Sequence, residues 1–143
     1  MIDVSAKPEI LREATASGKI KLKPATIALI REGKIAKGDP LYAAKIAGVL
    51  AAKKTSELVP LCHPLPLTNV EVITRVADES RVEVSATVKA RAKTGVEMEA
   101  LTAVSVALLT VWDMTKQYEK DAQGQYPTTE ISDIEVLKKY KEA

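Results

Sequence analysis

Apolar and β-branched side chains recur at every second position over residues 70–76 and again over residues 82–90. Between them lies a short polar linker, Ala-Asp-Glu-Ser, at residues 77–80. Alternation with a period of two is typical of strands that bury one face. The two runs therefore predict an antiparallel hairpin with one face in the core.

Helix signals precede this hairpin. Pro24 stands at a favourable helix start and Gly33 at a favourable helix end, with isoleucine and leucine between them. Asp39 is a good N-cap and Pro40 suits the first helical position. Small apolar residues then fill residues 40–57, so we expect a second helix there, ended by a proline-rich loop.

The remaining elements complete an α+β pattern. Ile20 and its neighbours predict a short strand, residues 96–119 a long helix and residues 131–137 a last strand, whereas residues 1–14 are expected to be mobile or loosely docked. Because helices and strands are interleaved but the central strand pair is antiparallel, we expect helices packed on one face of an antiparallel sheet. The length suits one domain over residues 1–143.

The long helix is apolar around nearly its whole circumference. One stripe is formed by Met98, Leu101, Ser105, Leu108 and Trp112, and further alanines, valines and leucines fill much of the rest. Such a helix must be covered on more than one side. In a chain this small, the second cover is expected to be another subunit, which predicts a homo-oligomer.

Composition narrows the function classes. Hydrophobic residues make up 46% and charged residues 28% of the chain, and the formal net charge is only +2. With four Tyr, one Trp and no Phe, neither bulk charge nor base stacking favours a nucleic-acid partner. The N-terminus lacks an apolar signal core and residues 100–112 are judged too short to span a bilayer, so we expect no membrane partner and a cytoplasmic protein.

The only histidine, His63, is framed by Pro60, Pro64 and Pro66. Proline fixes φ and holds the preceding residue extended, so His63 sits on a stiff mount that a solvated histidine would not need. The adjacent Cys62, the only cysteine, cannot complete a zinc site with it or form a nucleophilic dyad, because neighbours on an extended chain point to opposite faces. We predict a binding or catalytic site at His63, no metal site and no cofactor.

The residues at the start of the long helix agree with two interpretations, a structural helix cap and a ligand-binding site. Thr94 and Glu97 have the spacing of a capping box, which would be structural. Alternatively Lys93, Gly95 and the free N–H groups of the helix start suit a phosphate or a polar ring.

The end of the long helix carries Asp113 and Lys116, which are three residues apart and share a face. They could form a plain surface ion pair. Because Asp113 follows an apolar run, we expect its carboxylate to be partly desolvated and suited to acid–base work. Glu99 lies fourteen residues earlier, roughly 21 Å along the helix axis, so one reacting atom cannot touch both side chains.

Taken together these segments resemble the cyclic pyranopterin monophosphate synthase family of molybdenum cofactor biosynthesis. The resemblance covers most of the chain and rests on residues 1–5, 37–39, 45–48, 51–53, 61–65, 94–102 and 113–116. It implies a ferredoxin-like fold, a homohexamer (a trimer of dimers) and sites at the dimer interface. It also implies a lyase that converts 3′,8-cyclo-7,8-dihydroguanosine triphosphate into cyclic pyranopterin monophosphate and diphosphate.

The resemblance also assigns roles by position. Substrate binding falls on Leu61, Cys62, His63, Met98 and Glu99, the catalytic aspartate on Asp113, the essential lysines on Lys37 and Lys116, and a phosphate contact on Lys53. We hypothesise in addition that Glu97 or Glu99 reads the guanine-like edge of the substrate through paired hydrogen bonds. Two features depart from the family, namely the extended loop over residues 121–129 and residues 137–143, which stand where a Gly-Gly-Lys-Ser-Gly tail is common.

Two other classes remain possible from the sequence. The chain could be a nucleotide sensor that binds without turnover, which an assay for diphosphate release would reveal. It could instead be an oligomeric interaction module, which would bind no nucleotide. The joint presence of Lys37, His63, Asp113 and Lys116 favours the enzyme.

Overall fold

Four strands and four helices make up the protein, which is described over residues 1–143 by a computed structural model. The strands are β1 (Ile10–Lys21), β2 (Leu67–Asp78), β3 (Arg81–Ala92) and β4 (Glu130–Lys141). The helices are α1 (Pro24–Glu32), α2 (Pro40–Lys53), α3 (Thr55–Leu58) and α4 (Glu97–Glu119). All strand pairs are antiparallel and the strand order is β2-β3-β1-β4.

This architecture confirms the expected α+β class and is compatible with a ferredoxin-like sheet. The predicted hairpin is present as β2 and β3, with Val76 opposite Val82 and Val70 opposite Val88. The two principal helices, α2 and α4, pack on each other and on the sheet. The core between sheet and helices is built from alanine, valine, leucine and isoleucine.

The central strand β1 is longer than the sequence predicts. It begins at Ile10, so the expectation that residues 1–14 are mobile is wrong for its last five positions. Its buried face carries Ala14, Ala16 and Gly18, which have weak intrinsic strand preference. These small residues let α4 approach closely, since a Cβ on Gly18 would lie 2.8 Å from Cδ1 of Leu108. Close packing against the helix therefore decides the conformation of this segment.

The N-terminal helices follow their capping signals. Gly33 ends α1 in the left-handed conformation at φ 68°. The Asp39 carboxylate accepts hydrogen bonds from the backbone N–H groups of Leu41 and Tyr42, with Pro40 at the helix start. However, α2 stops at Lys53 and not at residue 57, because Lys54 leaves the helical conformation before the single turn of α3.

The long helix α4 buries its small side chains more completely than the stripe of larger ones described above. Its sheet-facing side carries Ala100, Ala103, Val104, Ala107, Leu108 and Val111, all fully buried. Of the predicted stripe only Leu108 is buried, and Met98 is 40% exposed. Small side chains recur on the buried side because α2 and β1 both come close to it.

By length and composition alone, the 23 residues of α4 could cross a membrane, although a buried core helix has the same composition. In the structure it is the core helix, and its buried face is covered by the sheet and α2.

Candidate functional site

Three charged side chains meet at the C-terminal half of α4. Lys116 Nζ lies 3.1 Å from Oδ1 of Asp113, and Lys37 Nζ lies 3.3 Å from Oδ2 of the same carboxylate. Lys37 also donates to the backbone carbonyl of Asp113 at 3.2 Å. We call Lys37, Asp113 and Lys116 the lysine–aspartate cluster.

The loop over residues 34–38 brings Lys37 into this cluster. It joins the end of α1 to the N-cap of α2, and Ile35 anchors it in the protein interior. The N–H of Gly38 closes a turn by donating to the carbonyl of Ile35 at 3.0 Å. Gly38 itself adopts φ 113°, which a residue with a side chain adopts only with strain.

Charge governs the protonation of the lysine–aspartate cluster. Hydrogen bonds from Lys116 and Lys37 hold the pKa of Asp113 below its usual value. The hydrogen bond to Asp113 raises the pKa of Lys116 in turn. The Asp113 side chain is 58% exposed, so the expectation of partial desolvation is wrong for the single chain. As it stands, the cluster presents two ammonium groups, which suit an anion and can donate protons.

A second group of polar residues surrounds the N-terminal turn of α4. Glu99 is only 4% exposed, and burial, followed by the nearby charge of Glu97, raises its pKa. Burial likewise raises the pKa of the Cys62 thiol, to which the charge of Glu99 contributes. The sequence-predicted residues Cys62, His63, Glu97 and Glu99 thus converge on one end of the helix.

The N-terminal segment of the chain lies across this second group. His63 Nε2 is 2.7 Å from the carbonyl oxygen of Ile2, and Lys93 Nζ donates to the carbonyl of Ser5 at 3.3 Å. Asp3 stabilises the turn by accepting from the N–H of Ser5 at 2.9 Å, and its pKa is lowered first by that bond and further by the charges of Lys93 and His63. Sequence reasoning expected this segment to be mobile or loosely docked, although residues 1–5 belonged to the family resemblance.

Glu97 is not part of a capping box. The N-cap of α4 is Val96, and no side chain caps the helix start, so of the two interpretations left open the capping box at Thr94 and Glu97 is excluded. The Glu97 carboxylate instead lies against Gly95, where an added Cβ would overlap Oε1. That oxygen is buried without a hydrogen bond, and Lys139 of β4 approaches it at 3.4 Å.

The other predicted binding residues lie nearby or at the surface. Leu61 is 70% exposed beside Cys62 in the proline loop. Lys53 closes α2 and lines a groove with Leu65 and Asn69 near the start of β2. Met98 is partly exposed at the first turn of α4.

One chain does not bring all these residues to one point. The lysine–aspartate cluster and the group around Glu99 are separated along α4 by about 21 Å at 1.5 Å per residue. Within a chain, Lys37 contacts Asp113, whereas His63 contacts the backbone of Ile2. Either the ligand is long or two subunits combine their ends.

The fold is that of an α+β protein, and it carries two groups of lysine and carboxylate side chains toward the two ends of α4. The model of the MoaC family matches residues 1–141, and the chain belongs to that family.

Curated proteins of similar sequence align with nearly the whole chain. A protein of Pyrococcus furiosus named probable cyclic pyranopterin monophosphate synthase is 60% identical over 99% of this chain and 90% of its own length. Proteins with the same name from Thermococcus kodakarensis and Sulfolobus acidocaldarius are 56% and 57% identical over 99% of this chain, and 90% and 98% of their own lengths.

Proposed function

We propose that this chain is a cyclic pyranopterin monophosphate synthase whose site combines the lysine–aspartate cluster of one subunit with the His63 and Glu99 region of another. The reaction is the lyase conversion of 3′,8-cyclo-7,8-dihydroguanosine triphosphate into cyclic pyranopterin monophosphate and diphosphate. The names and high identities of the relatives support the activity. The observation that carries the site is the approach of Lys37 and Lys116 to opposite oxygens of Asp113.

The lysine–aspartate cluster would perform the acid–base steps. The reaction opens a guanine-derived ring system, rebuilds it as a pterin and closes a cyclic phosphate, so protons must be added and removed. Asp113 keeps Lys116 protonated and in place, which makes this lysine a donor at the start of the reaction. When substrate and a second subunit displace water, the cost of keeping the ammonium charged rises, and a lysine can release its proton. General acid–base catalysis of this kind contributes about 10²–10⁴-fold.

The region around Glu99 would hold the substrate. A buried carboxyl with a raised pKa can serve as a hydrogen-bond donor or an acceptor, which suits the amide-like edge of a guanine-derived ring. His63 and Lys53, with Lys37 reaching from the other subunit, would bind the phosphates. Positive charge there stabilises the departing diphosphate. Leu61, Cys62 and Met98 would supply apolar walls.

Exposed apolar side chains support the assembly that this site requires. One face of α2 presents Tyr42, Ile46 and Leu50, which are 63%, 48% and 52% exposed. Leu50 and Leu58 line a hollow together with Val106 of α4, and Leu109, three residues further along α4, is 57% exposed. Such a contiguous apolar surface is typical of a subunit interface. We expect a homohexamer of three dimers acting in the cytoplasm.

Single-turnover conversion of the cyclised nucleotide tests the function. The wild-type chain should release diphosphate and form cyclic pyranopterin monophosphate, and Lys116→Ala should lose the reaction while still binding substrate. A chain that binds the nucleotide without releasing diphosphate would be a sensor, and this proposal would be wrong. Lys34→Ala, at an exposed lysine of the same loop that pairs with Glu32, is the matched control.

A further inference from the structure

Tyr118 connects α4 to the loop that carries Lys37. Its side chain is half-buried, two residues beyond Lys116 on the same helix. Its hydroxyl oxygen accepts a hydrogen bond from the backbone N–H of Ala36 at 2.8 Å. This is the one hydrogen bond in which a side chain from outside the loop binds a backbone group of residues 34–38. The loop makes its own side-chain bond in the other direction, from Lys37 to the backbone of Asp113.

The hydrogen bond between Tyr118 and Ala36 lies next to Lys37 in the chain. Ala36 and Lys37 are neighbours, with Cα atoms about 3.8 Å apart, so fixing one fixes the origin of the other side chain. The Lys37 side chain is 44% exposed and has four rotatable bonds, so packing alone does not place its ammonium group. Buried Ile35 and the turn that closes at Gly38 also hold the loop. Between these two points, the hydrogen bond to Tyr118 is the contact that holds the backbone of Ala36.

We propose that Tyr118 is a positioning residue for Lys37: its hydroxyl holds the Ala36 backbone so that the Lys37 ammonium reaches the Asp113 carboxylate. The catalytic consequence rests on the proposed function, because it requires Lys37 to act in the reaction. The geometric consequence does not, because the approach of Lys37 to Asp113 is present in the single chain.

Tyr118→Phe removes the hydroxyl and keeps the ring. Misplacement of a catalytic group commonly costs large factors in rate, and we expect kcat to fall about tenfold with KM changed less than about twofold. In a Lys37→Ala background the same substitution should cause no further fall, because there is no ammonium left to position. Tyr140→Phe, at a residue of β4 that is 45% exposed, is the control and should keep wild-type kcat.

A second measurement reports the geometry without turnover. The Asp113 carboxylate is faced by Lys37 from the loop and by Lys116 from its own helix, with Tyr126 close to Lys116. Titration of the carboxyl by carbon-13 NMR should show that Tyr118→Phe raises the pKa of Asp113 toward its value in Lys37→Ala. With Lys37 already replaced, the second substitution should leave that pKa unchanged.

The two measurements separate the possible failures. Wild-type kcat and wild-type Asp113 titration in Tyr118→Phe would overturn the positioning role. Equal effects in both backgrounds would overturn it as well, because Tyr118 would then act without Lys37. Full activity of Lys37→Ala would instead contradict the proposed function, and the titration would still decide the role of Tyr118.

Discussion

Lys37 and Asp113 are 76 positions apart in the chain, and their charged groups lie 3.3 Å apart in the structure. Lys116 takes the other carboxylate oxygen from one helical turn away. The nearby pair follows from helix geometry, but the contact with Lys37 depends on the whole fold, since it joins the α1–α2 loop to α4. A carboxylate held between two ammonium groups is therefore a product of the tertiary structure.

Asp113→Asn should abolish this arrangement while keeping the size of the side chain. We expect kcat to fall about 10²–10⁴-fold, because the neutral amide no longer orients the two lysines and no longer raises the pKa of Lys116. Thermal unfolding should change little, since exposed ion pairs contribute little to stability. Single-turnover kinetics measure the loss. Asp78→Asn is the matched control, because Asp78 also has a lowered pKa, owing to its bond with Ser80. A wild-type rate for Asp113→Asn would refute the catalytic assignment.

Because its pKa is raised and that of Asp113 is lowered, Glu99 should stabilise the fold at low pH, whereas Asp113 should stabilise it at higher pH. The pKa of Glu99 is raised in the folded state, so folding binds a proton and is favoured at low pH. The stability that Glu99 contributes is present below the ordinary glutamate pKa of 4.5 and is lost as pH rises through the folded pKa. Glu99→Gln should therefore melt above the wild type at pH 7, and the difference should vanish on acidification.

Calorimetric melting curves between acid and neutral pH check the Glu99 prediction. Glu71→Gln, at an exposed position of β2, controls for the loss of one negative charge. A Glu99→Gln variant that melts below the wild type at pH 7 would show that the carboxylate stabilises the fold in its charged form. Activity should fall in the same variant, because the substrate-reading carboxyl is lost.

Much of the fold could be predicted from local patterns, and the site only in part. The hairpin, the Asp39 cap and the Gly33 stop each depend on a few neighbouring residues, and all are present. The length of β1 could not be predicted, because Gly18 sits there only to admit Leu108 from α4.

The geometry of the site also could not be predicted from local patterns alone. The capping motif at Thr94 and Glu97 has the right spacing, but the helix begins at Glu97. The contact of Ile2 with His63 spans 61 positions, and no local pattern encodes it.

Gly95→Ala should displace the Glu97 carboxylate, because the new Cβ would overlap its Oε1. The carboxylate is the end of a flexible side chain and can turn away, so we expect little loss of stability. If Glu97 reads the substrate, kcat/KM should fall by about tenfold, since a small misplacement is costly. Thr94→Ala is the neighbouring control. A working capping box would make that control cost about 1 kcal/mol in urea unfolding, whereas the observed helix start predicts no such loss.

Leu50→Asp should place a charge in the exposed apolar face of α2. If this face is a subunit interface, light scattering should show smaller particles, and activity should be lost although each chain keeps its lysine–aspartate cluster. Burying an unpaired charge at such a contact is strongly unfavourable. Gln123→Asp, in the exposed loop after α4, should keep both size and activity. An unchanged particle size for Leu50→Asp would place the interface elsewhere.

Mixed oligomers test most directly whether one site draws on two subunits. Asp113→Asn and His63→Ala chains, each inactive alone, would be unfolded, mixed in equal amounts and refolded. In a two-fold dimer with shared sites, each mixed pair contains one site with both substitutions and one with neither, so about one quarter of wild-type activity should return. If each site lies within a single chain, every site in the mixture carries a substitution, and the absence of recovered activity would contradict the shared site.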